Sequence, residues 1–342
     1  MKLITYSWNG VGNLGDDWIS KSVLDHLRSE GFEANCITEP QSLNVDSKVG
    51  DLQWVRFTKT FVDVIRLRRK LRDYDAMIFA GGGWFAGDQN LRNSLMWLLR
   101  VILCPIPIYT LGIGVGPFNG SCQHFIFRLI AKRIRNFDVR HILDATHLSF
   151  LGITDFTVSA DLTFLEPIEP TISKAINREN CLVILPAFAR HRSIENLEKT
   201  GERILKHLHS LEILDSQIFF VSFQLSPHDD YSSWCEIFPK HLVVGNSVEI
   251  AKVFSSAKYV VAGRLHAALA ACRYEVPNIC VIPYHEKFQI LTEMGITIPK
   301  SYEENLEFGM PNISSYRDRH FALAECVEVI VNRISIDLVR RA

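Results

Sequence analysis

No stretch of the chain approaches the roughly 18 consecutive apolar residues of a membrane-spanning helix, so an integral membrane protein is not expected. The N-terminus, MKLITYSWNG, reads as a strand followed by a loop. It has neither the apolar region nor the cleavage site of a signal peptide. The eight cysteines are scattered singly, and no CxxC pair occurs. Cys104, Cys181 and Cys280 sit in apolar runs. This usage excludes a disulfide framework and a zinc site, and it points to reduced, buried thiols and a cytoplasmic setting. There is no internal repeat and no low-complexity tract. A strong charge of one sign is also missing: the net charge is −1, with a pI near 6.9. The basic residues fall on two helices rather than in a stripe with interleaved aromatics, so nucleic acid is not an expected partner.

At 342 residues the chain is long for one core, and about two domains are expected. Apolar residues make up 47% and charged residues 22%, the balance of a globular enzyme. Residues 1–150 carry 18 basic and 14 acidic side chains, a net +4; residues 151–342 carry 19 and 24, a net −5.

Short β-branched runs alternate with helical patterns throughout the first half. Lys2 to Ser7 reads as a strand, followed by Asn9-Gly-Val-Gly-Asn-Leu-Gly-Asp-Asp17 and a helix from about Trp18 to Ser29. Gly10, Gly12 and Gly15 permit a tight turn and close approach to a ligand. This is not a dinucleotide fingerprint, because two acids would repel a phosphate at the helix start. It reads either as an acceptor-side general-base loop, using Asp16 and Asp17, or as a plain N-cap. Asp75 to Ala80 is a strand ending in Gly81-Gly82-Gly83-Trp84-Phe85, whose aromatics would stack on a sugar face or fill the core. Ile106 to Leu111 is another, closed by Gly112-Ile-Gly114-Val-Gly-Pro117. Three glycine loops at successive strand ends outline a crevice. Basic amphipathic helices are expected over Arg56–Arg72 and Gln123–Arg135, with further strands at Val139–Leu143 and Phe156–Ala160. The alternation predicts an α/β doubly wound parallel sheet.

Pro167 and Pro170 mark a linker. The expected domains are 1–165 and 181–342, joined by 166–180, with a long C-terminal helix over 318–339 that either stays with the second domain or packs back on the first. Two Rossmann-like halves facing across a cleft correspond to the GT-B arrangement of many sugar-handling transferases. The second half is organised around Tyr259–Lys287: a strand to Ala262, a helix from Leu265 to Arg273, and a second strand from Ile279. Arg264 and His266 stand where strand gives way to helix, the edge that faces the ligand crevice in open α/β sheets. Free N–H groups and the positive end of the helix dipole join them there. They form an anion site with a proton carrier, or else Arg264 pairs with a surface carboxylate and His266 caps the helix.

These motifs, in this order, resemble the polysaccharide pyruvyl transferase family. The resemblance covers most of the chain. It rests on Gly12-Asn-Leu-Gly-Asp-Asp17, Gly81-Gly-Gly83, Gly112-Ile-Gly-Val-Gly-Pro117, Asp161-Leu-Thr-Phe-Leu165 and, most specifically, Arg264-Leu-His266 with Ala270, Pro277, Tyr284 and Lys287 beyond. The family usually has Arg-Asp where this chain has Arg140-His141, so the acid is missing. The resemblance implies transfer of a pyruvyl group from phosphoenolpyruvate to a sugar, forming a cyclic ketal on two hydroxyls of a cell-surface polysaccharide or its lipid-linked precursor. Phosphoenolpyruvate would be the co-substrate and a glycan the acceptor, with no cofactor or metal. Arg264 would grip an anionic end of the donor, and His266 would protonate the enol carbon. Asp16 or Asp17 would take hydroxyl protons, and Lys287 would hold the phosphate. Leu265, His285, Asn13, Gly82, Gly83 and Gly114 complete the expected substrate contacts.

Two other functions compete. One is a GT-B glycosyltransferase using a nucleotide sugar. Many retaining members carry two Glu eight apart, whereas Glu286 and Glu293 are seven apart. The other is a non-catalytic scaffold of polysaccharide assembly. The two basic helices add a further expectation: peripheral docking of the first domain on an anionic membrane, at its inner face, bringing the cleft to a lipid-linked glycan.

Overall fold

The computed structural model describes residues 1–7, 14–37, 61–85, 91–118, 120–166, 178–184, 194–223, 241–243, 247–282, 286–299 and 307–340. The chain forms two compact units. Unit 1 comprises Met1–Val11, Ile19–Glu166 and Arg319–Ala342; unit 2 comprises Gly12–Trp18 and Pro167–Asp318. The main break at Glu166/Pro167 coincides with the start of the proline-containing segment. One segment departs from the expected division, the start of the first helix, which goes with unit 2; most of the C-terminal helix goes with unit 1, the second of the two placements expected for it.

Unit 1 is built on a six-stranded parallel sheet with the order β2-β1-β3-β5-β7-β8. Its strands are β1 (Lys2–Tyr6), β2 (Glu33–Ile37), β3 (Ala76–Ala80), β5 (Ile108–Leu111), β7 (Ile134–Val139) and β8 (Phe156–Val158). Two short strands, β4 (Gly83–Phe85) and β6 (Gly114–Val115), pair with each other beyond the ends of β3 and β5. Helices α1 (Leu14–Ser29), α2 (Phe61–Leu71), α3 (Leu91–Leu103), α4 (Ser121–Ala131) and α5 (Ile142–Phe150) connect them. β3 is buried at every position, as the continuous apolar run of a strand covered on both faces requires. From β2 onward the chain crosses the sheet in one direction, so right-handed crossovers put α2, α3, α4 and α5 on the same face. One core cluster joins them there, including Leu71, Trp97, Val101, Phe127, Ile130 and Leu148.

Two elements differ from the sequence reading. The helix expected over Gln123–Arg135 runs from Ser121 to Ala131, and Ile134–Val139 is a strand paired with β5. Ile134 and Phe137 supply apolar contacts to both the sheet and its helices, so strand pairing overrides the helical period. The strand expected over Val139–Leu143 is correspondingly replaced by the end of β7 and the start of α5. The His141 ring caps α5, its Nδ1 accepting from the Leu143 N–H at 3.3 Å. Burial lowers the His141 pKa, and the neutral ring keeps Nδ1 as an acceptor.

The last helix, α9 (Ile313–Val339), is tied to unit 1 beyond Arg319 by polar contacts. The Tyr109 hydroxyl donates to Asp337 at 2.7 Å, Arg333 donates to Asn136, and the His320 ring bonds the Phe164 carbonyl at 2.7 Å.

Unit 2 carries a five-stranded parallel sheet with the order β11-β10-β9-β12-β13. The strands are β9 (Asn180–Ile184), β10 (Ile218–Ser222), β11 (His241–Val243), β12 (Ala257–Ala262) and β13 (Asn278–Val281). Helices α6 (Ile194–Ser210), α7 (Ser247–Ser255) and α8 (Leu265–Arg273) connect them, and Glu286–Met294 is a 3-10 stretch. The strand order reverses between β9 and β12, the switch point at which open α/β sheets take their ligands. Burial pushes the thiols of Cys181 and Cys280 up to about 12, so both remain protonated core groups.

Candidate active site at the start of helix α8

At the switch point of unit 2, β12 ends at Ala262 and the Gly263 N–H donates to the Ile184 carbonyl of β9. Arg264 then takes an extended conformation (φ −127°, ψ 138°) as the N-cap of α8. Its side chain makes no cap bond and is only 8% exposed, with Nε buried. A guanidinium cannot shed its charge, so this fold holds a nearly buried permanent cation at a helix N-terminus. The helix behind it is almost wholly core: Leu265 and the residues from Ala267 to Arg273 are all buried. His266 is the one partly exposed position in that run, and its Nε2 is shielded from solvent.

What fixes His266 is a glycine 251 positions earlier. A Cβ built on Gly15 would stand 1.9 Å from the His266 Nδ1 and 2.5 Å from its Cγ. Only a bare backbone allows the ring to lie there. The helix α1 begins at Leu14, four residues before the expected start. Gly15, Asp16 and Asp17 therefore belong to its first turn, with both acids half-buried. That turn is grouped with unit 2, whereas the sequence reading puts it in the first domain. It is anchored one turn further on, where the Arg273 guanidinium stands 5.6 Å from the Trp18 ring centre and 5.2 Å from that of Tyr274. Two helix N-termini, those of α1 and α8, thus meet around Arg264 and His266. The N–H groups and dipole end of α8 favour an anion, while the first turn of α1 brings two carboxylates and that of α8 an imidazole.

The other expected residues are distributed as follows. The Leu265 side chain is core, 2% exposed, which leaves its backbone N–H as its polar contribution. Lys287 is half-buried on the 3-10 stretch that packs against α8. Asn13 and His285 lie outside the described residues, as do the side chains of Trp84 and Phe85. Gly82, Gly83 and Gly114 belong to unit 1.

In unit 1 the glycine turns form a platform. The Gly114 N–H donates to the Gly82 carbonyl at 2.7 Å, joining β4 to β6. Arg140 lies beneath, its Nη2 2.5 Å from where a Gly114 Cβ would be. Its guanidinium is 3.7 Å from both Asp144 and Asp161. Asp144 also accepts from the Val115 N–H at 2.8 Å, and Asp161 from the Thr163 N–H and hydroxyl at 3.2 and 3.0 Å. Arg140 thus has an acid one helical turn later, at Asp144, rather than at the next position. Burial raises the Asp144 pKa and Arg140 opposes the shift. Below lies Asp138, fully buried, accepting from the Gly112 N–H (2.7 Å), Thr157 (2.6 Å) and Ser159 (2.5 Å); burial raises its pKa as well. The sequence reading passed over Asp138 and Asp144. Asp144 carried one signal, its i+4 spacing from Arg140.

The sequence pattern of the family "Polysaccharide pyruvyl transferase" matches residues 13–286, which includes the first turn of α1 and the whole of α8. The chain belongs to the polysaccharide pyruvyl transferase family. Among curated proteins, this pyruvyl transferase family member is similar to the amylovoran biosynthesis protein AmsJ of Erwinia amylovora. The two are 20% identical over 94% of this chain and 80% of that one. Among solved structures it resembles the UDP-GlcNAc 2-epimerase of Methanocaldococcus jannaschii (TM-score 0.60, 12% identity, 97% of this chain and 100% of that one). It also resembles the UDP-GlcNAc 2-epimerase of Neisseria meningitidis (TM-score 0.57, 12% identity, all of both chains). A glycosyltransferase of Rickettsia africae is similar too (TM-score 0.54, 11% identity, 99% of this chain and 96% of that one). At these identities the likeness is one of fold: two Rossmann-like parallel-sheet units on a GT-B-like plan. Among the described residues, no three His, Cys, Asp or Glu side chains gather as metal ligands, and no helix is long and apolar enough to cross a membrane.

Proposed function

We propose that this protein transfers the pyruvyl group of phosphoenolpyruvate onto two hydroxyls of a sugar in a polysaccharide or its lipid-linked precursor, forming a cyclic ketal. The observation that carries the proposal is the seating of His266 on Gly15 beside Arg264, where the first turns of α1 and α8 meet. Phosphoenolpyruvate brings a carboxylate and a phosphate, and the N-terminus of α8 with its fixed guanidinium suits that charge. His266 delivers a proton to the methylene carbon, which becomes the methyl group. A sugar hydroxyl attacks the neighbouring carbon, and the bond to the phosphate oxygen breaks with its electron pair leaving on inorganic phosphate. A second hydroxyl closes the ketal. Asp16 or Asp17 receives the hydroxyl protons, one of which returns to the imidazole and the other to the phosphate.

A second reading, glycosyl transfer from a nucleotide sugar, draws on the fold alone. One experiment separates the two. The protein is incubated with phosphoenolpyruvate and a panel of galactosyl, glucosyl and N-acetylhexosaminyl acceptors, and the products are read by mass spectrometry. An acceptor that gains one pyruvyl unit with loss of one water, with phosphate released in equal amount, is the expected result. Release of a nucleotide from a sugar donor, with no phosphoenolpyruvate-dependent product, overturns the proposal.

A further inference from the structure

The outer face of unit 1 formed by α2, α3 and α4 combines two features that a protein in contact only with water has little use for. α2 packs against α3 and α3 against α4, so the three lie side by side on one side of the sheet. Their inner sides fill the core. Their outer sides leave large apolar residues in solvent: Leu91 is 50% exposed, Leu95 49%, Ile102 48% and Phe125 64%. On α3, Leu91, Leu95 and Ile102 recur at spacings of four and seven, which aligns them in one stripe. On α4, exposed Phe125 is followed one and two turns later by Arg128 and Lys132, both exposed. α2 repeats the device, with exposed Ile65 followed by Arg68 and Arg69.

The charge on α3 and α4 has one sign, and α2 carries four basic residues against one acid, Asp63. No aspartate or glutamate occurs between Asp88 and Asp138, a stretch that contains all of α3 and α4. The turn after α2 carries Asp73 and Asp75, and Asp75 is taken up by the Lys2 backbone N–H at 2.7 Å.

We infer that the α2–α3–α4 face docks on the surface of an anionic lipid bilayer. Apolar side chains enter the headgroup boundary, while Arg and Lys extend from the same stripes to the lipid phosphates. Charge complementarity selects this occupant. A second copy of the same face, related by a two-fold axis, would set basic residues against basic residues. A nucleic acid would meet an aliphatic stripe with little to stack on its bases. The inference goes beyond pyruvyl transfer and does not depend on it, because docking is read without donor or acceptor.

The test is flotation of the full-length protein with vesicles of phosphatidylcholine alone and of equal parts phosphatidylcholine and phosphatidylglycerol. The protein is expected to float with the anionic vesicles at low salt and to be released as salt is raised. Each basic residue near such a surface strengthens binding about fivefold, so Arg128→Gln with Lys132→Gln weakens it about 25-fold. Phe125→Ser weakens it too, but leaves the salt dependence as in the native chain. All three positions are exposed, so circular dichroism and melting temperature are expected to stay unchanged in these variants, and that shows the loss is one of docking. The inference is overturned if neutral and anionic vesicles recruit equally little protein. It is also overturned if the double variant floats like the native chain. Sedimentation that shows a dimer dissolved by Phe125→Ser, with no vesicle binding, assigns the face to a second copy instead.

Discussion

Both units set a cationic or imidazole side chain against a glycine, and the two seats differ in what surrounds them. In unit 1, Arg140 lies under Gly114 and is flanked by two carboxylates of the fold itself, Asp144 and Asp161. Both acids are also bonded to backbone N–H groups, so the cluster holds β6 and the turn at Leu162–Leu165 in place. In unit 2, His266 lies on Gly15 among the first turns of two helices, next to a buried arginine whose side chain makes no cap bond. One seat spends its charge on architecture. The other places charge where helix ends favour a bound anion. Similar glycine contacts thus hold a side chain between two carboxylates and backbone N–H groups in one unit, and between the first turns of two helices in the other.

The sharpest break in that comparison is His266→Gln. It keeps a hydrogen-bonding group but no transferable proton, so turnover should fall roughly 10²–10⁴-fold. Calorimetric binding of phosphoenolpyruvate should persist. Near-normal turnover would make His266 a positioning residue and move the acid elsewhere.

Gly112→Ala probes the architectural side. Gly112 has φ +56°, and an added Cβ would lie 2.7 Å from the Ala160 carbonyl oxygen and 2.7 Å from Leu162. Left-handed backbone and overpacking together should cost roughly 2–4 kcal/mol of stability. The variant should show this as a lower unfolding midpoint in urea; an unchanged midpoint would mean that the turn is not a fixed part of unit 1.

Arg264→Lys keeps the charge and loses the planar fork. Hydrogen bonds to charged groups are worth about 1.5–3 kcal/mol, so donor affinity should weaken about 10- to 150-fold. The effect should appear in the dissociation constant more than in kcat. Gly15→Ala sharpens the link between the two first turns. By displacing the His266 ring it should lower turnover about 100-fold, the usual result of misplacing a reacting group by an ångström. Equal losses in unfolding midpoint and turnover would instead make Gly15 an architectural residue like Gly112.

The smallest expected effect is one of pH on stability. Burial raises the folded-state pKa of Asp138 above that of the unfolded chain. Its contribution is therefore greatest below the unfolded carboxylate pKa, near 3.8, and is lost as pH rises through the folded value. The stability difference between the native chain and Asp138→Asn should shrink, in the native chain's disfavour, as pH rises over that window. A difference independent of pH would show that Asp138 does not titrate within it.

The sequence by itself determined the alternation of strands and helices. Apolar runs, glycine turns and prolines are local signals, and they locate α8 (Leu265–Arg273) to the residue. They also place Arg264 and His266 at the junction of β12 and α8, because Gly263 ends a β-branched run just before an alanine-rich one. Tertiary structure decided what those residues meet. It set Gly15 against His266, supplied Asp144 and Asp161 to Arg140, and carried the C-terminal helix back to the first sheet. It also turned Ile134–Val139 into a strand, since pairing with β5 outweighed a helical period. Periodicity reports only which face of an element is apolar. Which distant segment covers that face depends on crossover handedness and packing, and neither is written in any local run of residues.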